Sequence, residues 1–292
     1  MDAQVSLSQG KLEETLLQLQ ATVRSDPSNV KHRVFLFQLL AVMGQWDRAL
    51  TQLNVAGELD ASTLAMVQTY REALLCEGLR ADVFAGKRSP VVFGKPEQWI
   101  ALLLESLSLM ADGQYAKSQD VRNQAFELAP ATSGIIGDPS GPDSETFEWI
   151  SDADARMGPV LEAIINGRYY WVPFHRIQSI NVEVPEDVRD MVWMPAYFTW
   201  ANGGETVGLI PTRYPGSEAS EDKLIRLAQK TIWQELDNGV YQGMGQRMFA
   251  TDVGEHPLMD LRLITLNSEA AETTNAEAAG TTDFSSSEEI DN

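Results

Sequence analysis

The chain has 292 residues, 43% of them hydrophobic and 22% charged, which is long enough for two ordinary domains and apolar enough to bury a core in each. A formal net charge of −20 repels phosphate backbones and anionic lipid head groups, so nucleic acid and membrane are excluded as main partners. The single cysteine, Cys76, excludes an intrachain disulfide and a Cys-rich metal site, and no secretory signal or membrane-length apolar run is found, so a cytoplasmic protein is expected.

The first elements form a repeat over residues 1–130. Gly10, Gly44, Gly78 and Gly113 fall 34, 34 and 35 residues apart. Small residues follow three of them at Thr15, Ala49 and Ser118, and closing positions fall at Pro27, Ala61, Pro96 and Pro130. A turn glycine, a small residue where two helices meet and a proline between units make the tetratricopeptide pattern. The second unit carries helical apolar spacing before and after Gly44, whereas too little chain precedes Gly10 for a full first helix. After Gly78 the stretch AGKRSPVVFGKP breaks the expected second helix and reads as an ordered insertion.

Solenoids of this kind hold peptides or helices on their inner face. The repeat phase places Lys31, Val34, Gln38, Ala41 and Val42 on that face in the second unit, and Ala65, Gln68, Glu72 and Leu75 in the third. This mixture of apolar and polar groups suits an amphipathic partner helix. Cys76 reads as core, as buried free thiols usually are.

Residues 131–145 are rich in turn formers and read as a linker or long loop. From there to 266 the texture is β-rich, with expected apolar segments at 147–150, 160–165, 169–173, 177–184, 191–197, 206–210 and 258–266. Asn166-Gly167 and Asn202-Gly203-Gly204 are hairpin signals, and Pro173, Pro185, Pro195 and Pro211 are expected at strand ends or edges. One helix is expected over about 221–233, with Leu224, Leu227, Ala228 and Ile232 on one face. Residues 267–292 hold seven acids and no base and read as a disordered tail. The expected fold is therefore two-part α+β. A tetratricopeptide-like α-solenoid precedes a mixed or antiparallel β-rich domain (146–266) with at least one helix.

Catalytic and metal motifs are largely absent. Asp152-Ala-Asp154-Ala-Arg156-Met157 fails as an EF-hand, because Arg156 and Met157 stand where an acceptor and a glycine are required. The two aspartates read as turn acceptors and Arg156 as a carboxylate partner. His32, His175 and His256 form no metal set. Gly243-Met-Gly245-Gln-Arg-Met248 lacks the third glycine of a dinucleotide fingerprint, and no P-loop or nucleophile elbow is found. A hydrolase-like site at Asp152, Asp154, Arg156 and His175 remains an alternative, as does a general tetratricopeptide co-chaperone.

The string from Asp152 to Ile177, DADARMGPVLEAIINGRYYWVPFHRI, resembles the signature of the ImpE family, also called TagJ or SciE-type. Trp193-Met-Pro-Ala, Leu209-Ile-Pro-Thr-Arg213-Tyr214, Gly245-Gln-Arg247-Met and Thr251-Asp252-Val-Gly254-Glu255 are similar too, as is the solenoid with Pro90-Val-Val-Phe-Gly94. In that signature Asp152, Asp154, Arg156, Gly158, Pro159, Asn166, Gly167, Trp171 and Pro173 are taken as structural. The resemblance implies a non-enzymatic accessory protein of a bacterial type VI secretion system, without cofactor or metal. It implies a partner in the N-terminal helix of the small contractile-sheath subunit, and an indirect link to the recycling AAA+ ATPase ClpV.

Overall fold

The computed structural model describes residues 11–138, 141, 144–237 and 239–267. Gly10 and all of the expected acidic tail except Asn267 lie outside the described residues. The chain opens with α1 (Leu12–Ser25), α2 (Val30–Val42), α3 (Trp46–Leu59) and α4 (Leu64–Phe84). After a short strand, β1 (Val91–Val92), come α5 (Gln98–Ala111) and α6 (Tyr115–Leu128). Among the described residues no helix is long and apolar enough to cross a membrane.

Helices α2/α3 and α5/α6 are helix hairpins turned at Gly44 and Gly113, which take positive φ of 67° and 74°. The next N–H closes each helix end, Gln45 donating to the Leu40 carbonyl (2.9 Å) and Gln114 to that of Leu109 (2.8 Å). Thr15, Ala49 and Ser118, the small repeat positions, are fully buried. Gly78 departs from the expected turn: α4 runs through it without interruption. The same closing motif occurs eight residues later at Gly86 (φ 69°), where Lys87 donates to the Asp82 carbonyl (2.9 Å). Positive φ is permitted to glycine and not imposed, and the residues around Gly78 are good helix formers.

The second part is built on a nine-stranded sheet in the order β1-β6-β5-β9-β8-β7-β14-β2-β3. Its strands are β2 (Gly134–Ile136), β3 (Glu145–Phe147), β5 (Val160–Ile165), β6 (Arg168–Pro173), β7 (Ile177–Val182), β8 (Trp193–Trp200), β9 (Glu205–Pro211) and β14 (Leu263–Leu266), besides β1. All neighbours are antiparallel except β1 and β6, so the inserted loop adds an edge strand to the sheet. A three-stranded sheet joins β4 (Ile150–Asp152), β12 (Met248–Thr251) and β13 (Glu255–Pro257), and β10 (Thr231–Asp237) pairs with β11 (Val240–Gly245). The two-part α+β class agrees with the expectation.

The Asn166-Gly167 turn joins β5 to β6 with both residues at positive φ (48° and 74°), the mirror-image turn that matches strand twist. The Asn202 to Gly204 turn joins β8 to β9. Three expectations are corrected. The stretch 131–145 contributes β2, a strand inside the main sheet. Pro195 lies within β8, opposite Leu209, while the β7 ladder on its other side starts one residue later at Ala196. The helix expected over 221–233 is only α7 (Lys223–Arg226), capped by Asp222. Ala228 then turns back with φ 53°, and 231–237 extend as β10, where Thr, Ile and Trp favour a strand.

The helical and sheet parts share one core. Val160, Ile164, Tyr169, Trp171, Trp193 and Leu209, on one face of the sheet, belong to the same apolar cluster as Phe37, Tyr70, Val83 and Leu103 of the helices. The opposite face, with Leu161, Val172, Met194, Phe198 and Ile210, packs with Phe249 and Ile264 in a second core. Every residue of β5 is buried, as a strand covered on both faces must be.

Gly78 has no atom within 4 Å of a Cβ added to it, and neither has Gly113. Gly78→Ala is therefore expected to stabilise the chain by about 0.5–1 kcal/mol, as a helix-interior replacement. Gly113→Ala is expected to cost roughly 1–2 kcal/mol at its left-handed turn. Opposite shifts in denaturant midpoint check this, and loss of stability in Gly78→Ala would contradict a continuous α4.

Candidate functional site

A cavity of about 880 Å³ lies where the solenoid meets the β-rich part. One wall comes from the solenoid: Lys31, Val34, Phe35 and Gln38 of α2, with Asp60 and Thr63 just before α4 and Met66 in its first turn. The other wall is Pro185 to Val188 and Met191, between β7 and β8, together with Lys223, Leu224 and Leu227 around α7. A lining of apolar side chains with charged ones among them is the character of a protein-binding groove.

Several contacts hold the second wall in place. Asp190 is buried and its Oδ2 accepts from the N–H groups of Glu186 (2.9 Å) and Asp187 (2.8 Å), while its carbonyl accepts from the Thr212 hydroxyl (2.7 Å). Asp187 and Asp190 cap the turn reciprocally. The Arg189 guanidinium pairs with Asp187 and stands 4.7 Å over the Tyr70 ring of α4, tying this wall to the solenoid. Burial raises the Tyr70 hydroxyl pKa to about 12, so the ring stays neutral.

The expected inner face is divided by this arrangement. Lys31, Val34 and Gln38 line the groove. Ala41 and Val42 are fully buried, and the Arg213 guanidinium donates to their carbonyls (3.4 and 2.8 Å). Ala65 and Gln68 are exposed on α4, and Leu75 is 64% exposed. Glu72 lies against Gly167 of the β5–β6 turn. Cys76 is buried, with Sγ 3.6 Å from the Gly167 carbonyl, and burial pushes its thiol up to about 12.

The signature residues form a different feature, a closed charge network none of whose members lines the groove. Asp152 is 2% and Asp154 0% exposed. Asp152 accepts from the Asp154 N–H (2.8 Å) and the Tyr214 hydroxyl (3.0 Å), and pairs with Arg247. Asp154 accepts from the Arg156 N–H (2.9 Å) and holds its guanidinium through both oxygens (2.6 to 3.0 Å). Gly158 takes φ 55° where the Phe126 ring leaves no space for a side chain, Pro159 passes its carbonyl to the Phe174 N–H (3.2 Å), and Pro173 ends β6.

At the centre stands Glu162 of β5, fully buried. Arg80 of α4 grips it with two N–H groups (2.7 and 2.9 Å), and Arg247 pairs with it from the other side. Tyr169 donates its hydroxyl to Glu162 and accepts from the Trp171 indole N–H (2.9 Å). Glu77 receives the Trp193 indole N–H (2.8 Å). Burial alone would raise the Glu162 carboxyl, but Arg80 and Arg247 outweigh it and hold it at about 2. Asp152 goes the other way, burial lifting it to about 6 against the pull of Arg247.

His175 stands in a turn after β6, with Nε2 3.0 Å from Glu97 and its ring edge-on to Trp99. Among the described residues no group of three or more His, Cys, Asp or Glu is placed to hold a metal ion. The signature carboxylates thus bind this chain's own N–H groups and guanidiniums.

Residues 144–265 match the profile described as the ImpE protein. The type VI secretion system accessory component TagJ of Pseudomonas aeruginosa (strain PAO1) is 53% identical over 262 residues, which covers 90% of each chain. The chain belongs to the ImpE/TagJ family. The crystal structure of protein VPA1032 from Vibrio parahaemolyticus shares the fold, with a TM-score of 0.79 at 23% identity, covering 92% of this chain and 99% of that one. The ImpE profile spans the second wall of the groove and the charge network apart from Glu77 and Arg80 of α4, while the similarity to TagJ extends over most of the chain.

Sequence reasoning missed the second wall and Glu162. Pro185-Glu-Asp carries a turn signal, and Glu162 is the one charge in an otherwise apolar strand, but neither names its partner on a distant helix. Glu162→Gln leaves Arg80 and Arg247 short of a buried partner and is expected to cost about 3–5 kcal/mol at pH 7. Because the folded pKa of Glu162 lies below its unfolded value of 4.5, its contribution is complete above that value and is lost as pH falls towards about 2. Urea unfolding of both proteins across that range checks it, and a pH-independent gap would contradict the assignment.

Proposed function

We propose that this chain is a non-enzymatic, cytoplasmic accessory protein of a type VI secretion system that holds an amphipathic helix in the groove between its solenoid and its β-rich part. The helix is the N-terminal one of the small contractile-sheath subunit, and its capture modulates sheath assembly or its recycling by ClpV. Family membership and the name carried by the Pseudomonas aeruginosa relative support the accessory role. The observation that carries the binding mode is the groove itself. Val34, Phe35, Met66, Val188, Met191 and Leu224 present apolar surface to one space, which Lys31, Asp60 and Asp187 also line. Such a surface matches the i, i+3, i+4, i+7 apolar stripe of a single helix. The wall held by Asp190 and Arg189 is formed before a ligand arrives, which lowers the ordering cost of binding.

The closed charge network supports the non-enzymatic reading. Asp152, Asp154 and Arg156 are at most 7% exposed and directed at each other and at backbone, so the hydrolase alternative gains no support from them.

Calorimetry of the full chain with a peptide of the sheath subunit's N-terminal helix tests the proposal. Saturable binding is expected, and Leu224→Arg and Val34→Arg should each weaken it about tenfold or more, ~1.4 kcal/mol, with the circular dichroism spectrum unchanged. Leu224 is 38% exposed, so its replacement leaves the core intact. Unweakened binding by both variants would remove the helix from this groove.

A further inference from the structure

A second cavity, of about 430 Å³, lies on elements that take no part in the groove. It is lined by Arg122 of α6, by Ala153 and Ala155 of the signature loop, and by Trp233 and Tyr241 of the β10–β11 hairpin. Arg122 is only 7% exposed, and its Nη1, sealed from solvent, has no hydrogen-bond partner. Arg176, Arg189 and Arg226 also leave a buried Nε unbonded, but each pairs with a carboxylate through its guanidinium. Among the described residues Arg122 has no such pair. Buried arginines are normally saturated, as Arg80 and Arg247 are.

The acid that acts on Arg122 through space is Asp154, yet burial outweighs it and lowers the Arg122 pKa from its ordinary value. Asp154 is already engaged on both oxygens by Arg156, and the Gly243 N–H adds a further bond to Oδ2 (2.7 Å). Asp154 is thus taken up by Arg156, which leaves Arg122 on the cavity floor without a carboxylate in contact; Glu235, across the hairpin from Tyr241, is an exposed carboxylate on the ring-bearing face.

Above this floor two rings stand in the open. Trp233 is 37% and Tyr241 47% exposed. Trp233 pairs with Gly243 and Tyr241 with Glu235, so in an antiparallel hairpin both rings are on one face. Trp233 is braced by Tyr214, with ring centroids 5.7 Å apart.

We propose that this cavity binds a carboxylate carried on an apolar or aromatic body, the carboxylate on Arg122 and the body against Trp233 and Tyr241. One guanidinium beside an occupied aspartate matches a planar monoanion. A phosphate dianion calls for several donors and more positive charge. The carboxylate has three possible sources: the C-terminus of a protein, an acidic side chain within one, or a free small acid.

Calorimetry on the full chain uses N-acetylphenylalanine and, as the uncharged match, N-acetylphenylalaninamide. Two peptides accompany them, one ending in phenylalanine with a free carboxylate and one with an internal Phe-Glu and an amidated end. The acid is expected to bind and its amide not to. Arg122→Gln should weaken binding at least tenfold, ~1.4 kcal/mol, while Arg122→Lys retains part of it. The free Arg122→Gln protein should melt no lower than the parent, since it loses a buried charge without a partner. Trp233→Ala should weaken binding independently. Binding by the free-ended peptide assigns the source to a chain terminus, by the internal one to a side chain, and by N-acetylphenylalanine alone to a small acid. Equal binding of acid and amide, no response from any probe, or a melting temperature several degrees lower in Arg122→Gln would overturn the proposal.

Discussion

Glu162 occupies a strand covered on both faces, and its carboxylate has no water to turn to. Desolvating that charge costs several kcal/mol unless donors surround it, and the donors come from places far apart in the chain. Arg80 reaches it from α4, Arg247 from the residue pair between β11 and β12, and Tyr169 from the neighbouring strand. Each arginine has a second anchor: Arg80 donates to the Arg213 carbonyl, and Arg247 to that of Pro211. The helical and sheet parts can therefore occupy only one relative position without stranding a charge. The shared apolar cluster, with Trp193 packed between Trp46 and Tyr70, supplies the burial that makes the network costly to break.

That constraint decides which surface remains for a partner. A free tetratricopeptide array offers its concave face, but here the sheet occupies much of it. Ala41 and Val42 are sealed beneath Arg213, and Glu72 and Cys76 meet the Asn166-Gly167 turn. Gln68 and Leu75 stay exposed along α4, and the part of the face that forms a groove is the edge of α2 with the first turn of α4, completed by the β-rich part with Pro185 to Met191 and α7. The groove is composite, so its geometry depends on the Glu162 lock although no network residue lines it.

Local features of this architecture were legible in the sequence. The spacing of Gly44 and Gly113, the buried Ala49 and Ser118, and the Asn166-Gly167 hairpin each follow from backbone preferences that a short window contains. Gly78 misled because a repeat spacing cannot tell a glycine in a left-handed turn from one inside a helix. The 221–233 segment misled because Leu224, Leu227 and Ala228 keep helical spacing across a point where the backbone reverses at Ala228. Of the groove, only Lys31, Val34 and Gln38 on the solenoid wall were legible. The other wall depends on long-range contacts, as the Arg189–Tyr70 pair shows, and no periodicity records those.

Hydrogen exchange of the full chain, with and without the sheath subunit's N-terminal helix, tests the composite groove most directly. The account predicts slowed exchange in three separated segments together, residues 30–38, 185–191 and 223–229, with the β10–β11 hairpin unchanged. Protection confined to the solenoid, or appearing only on the β-rich part, would contradict a helix held between the two.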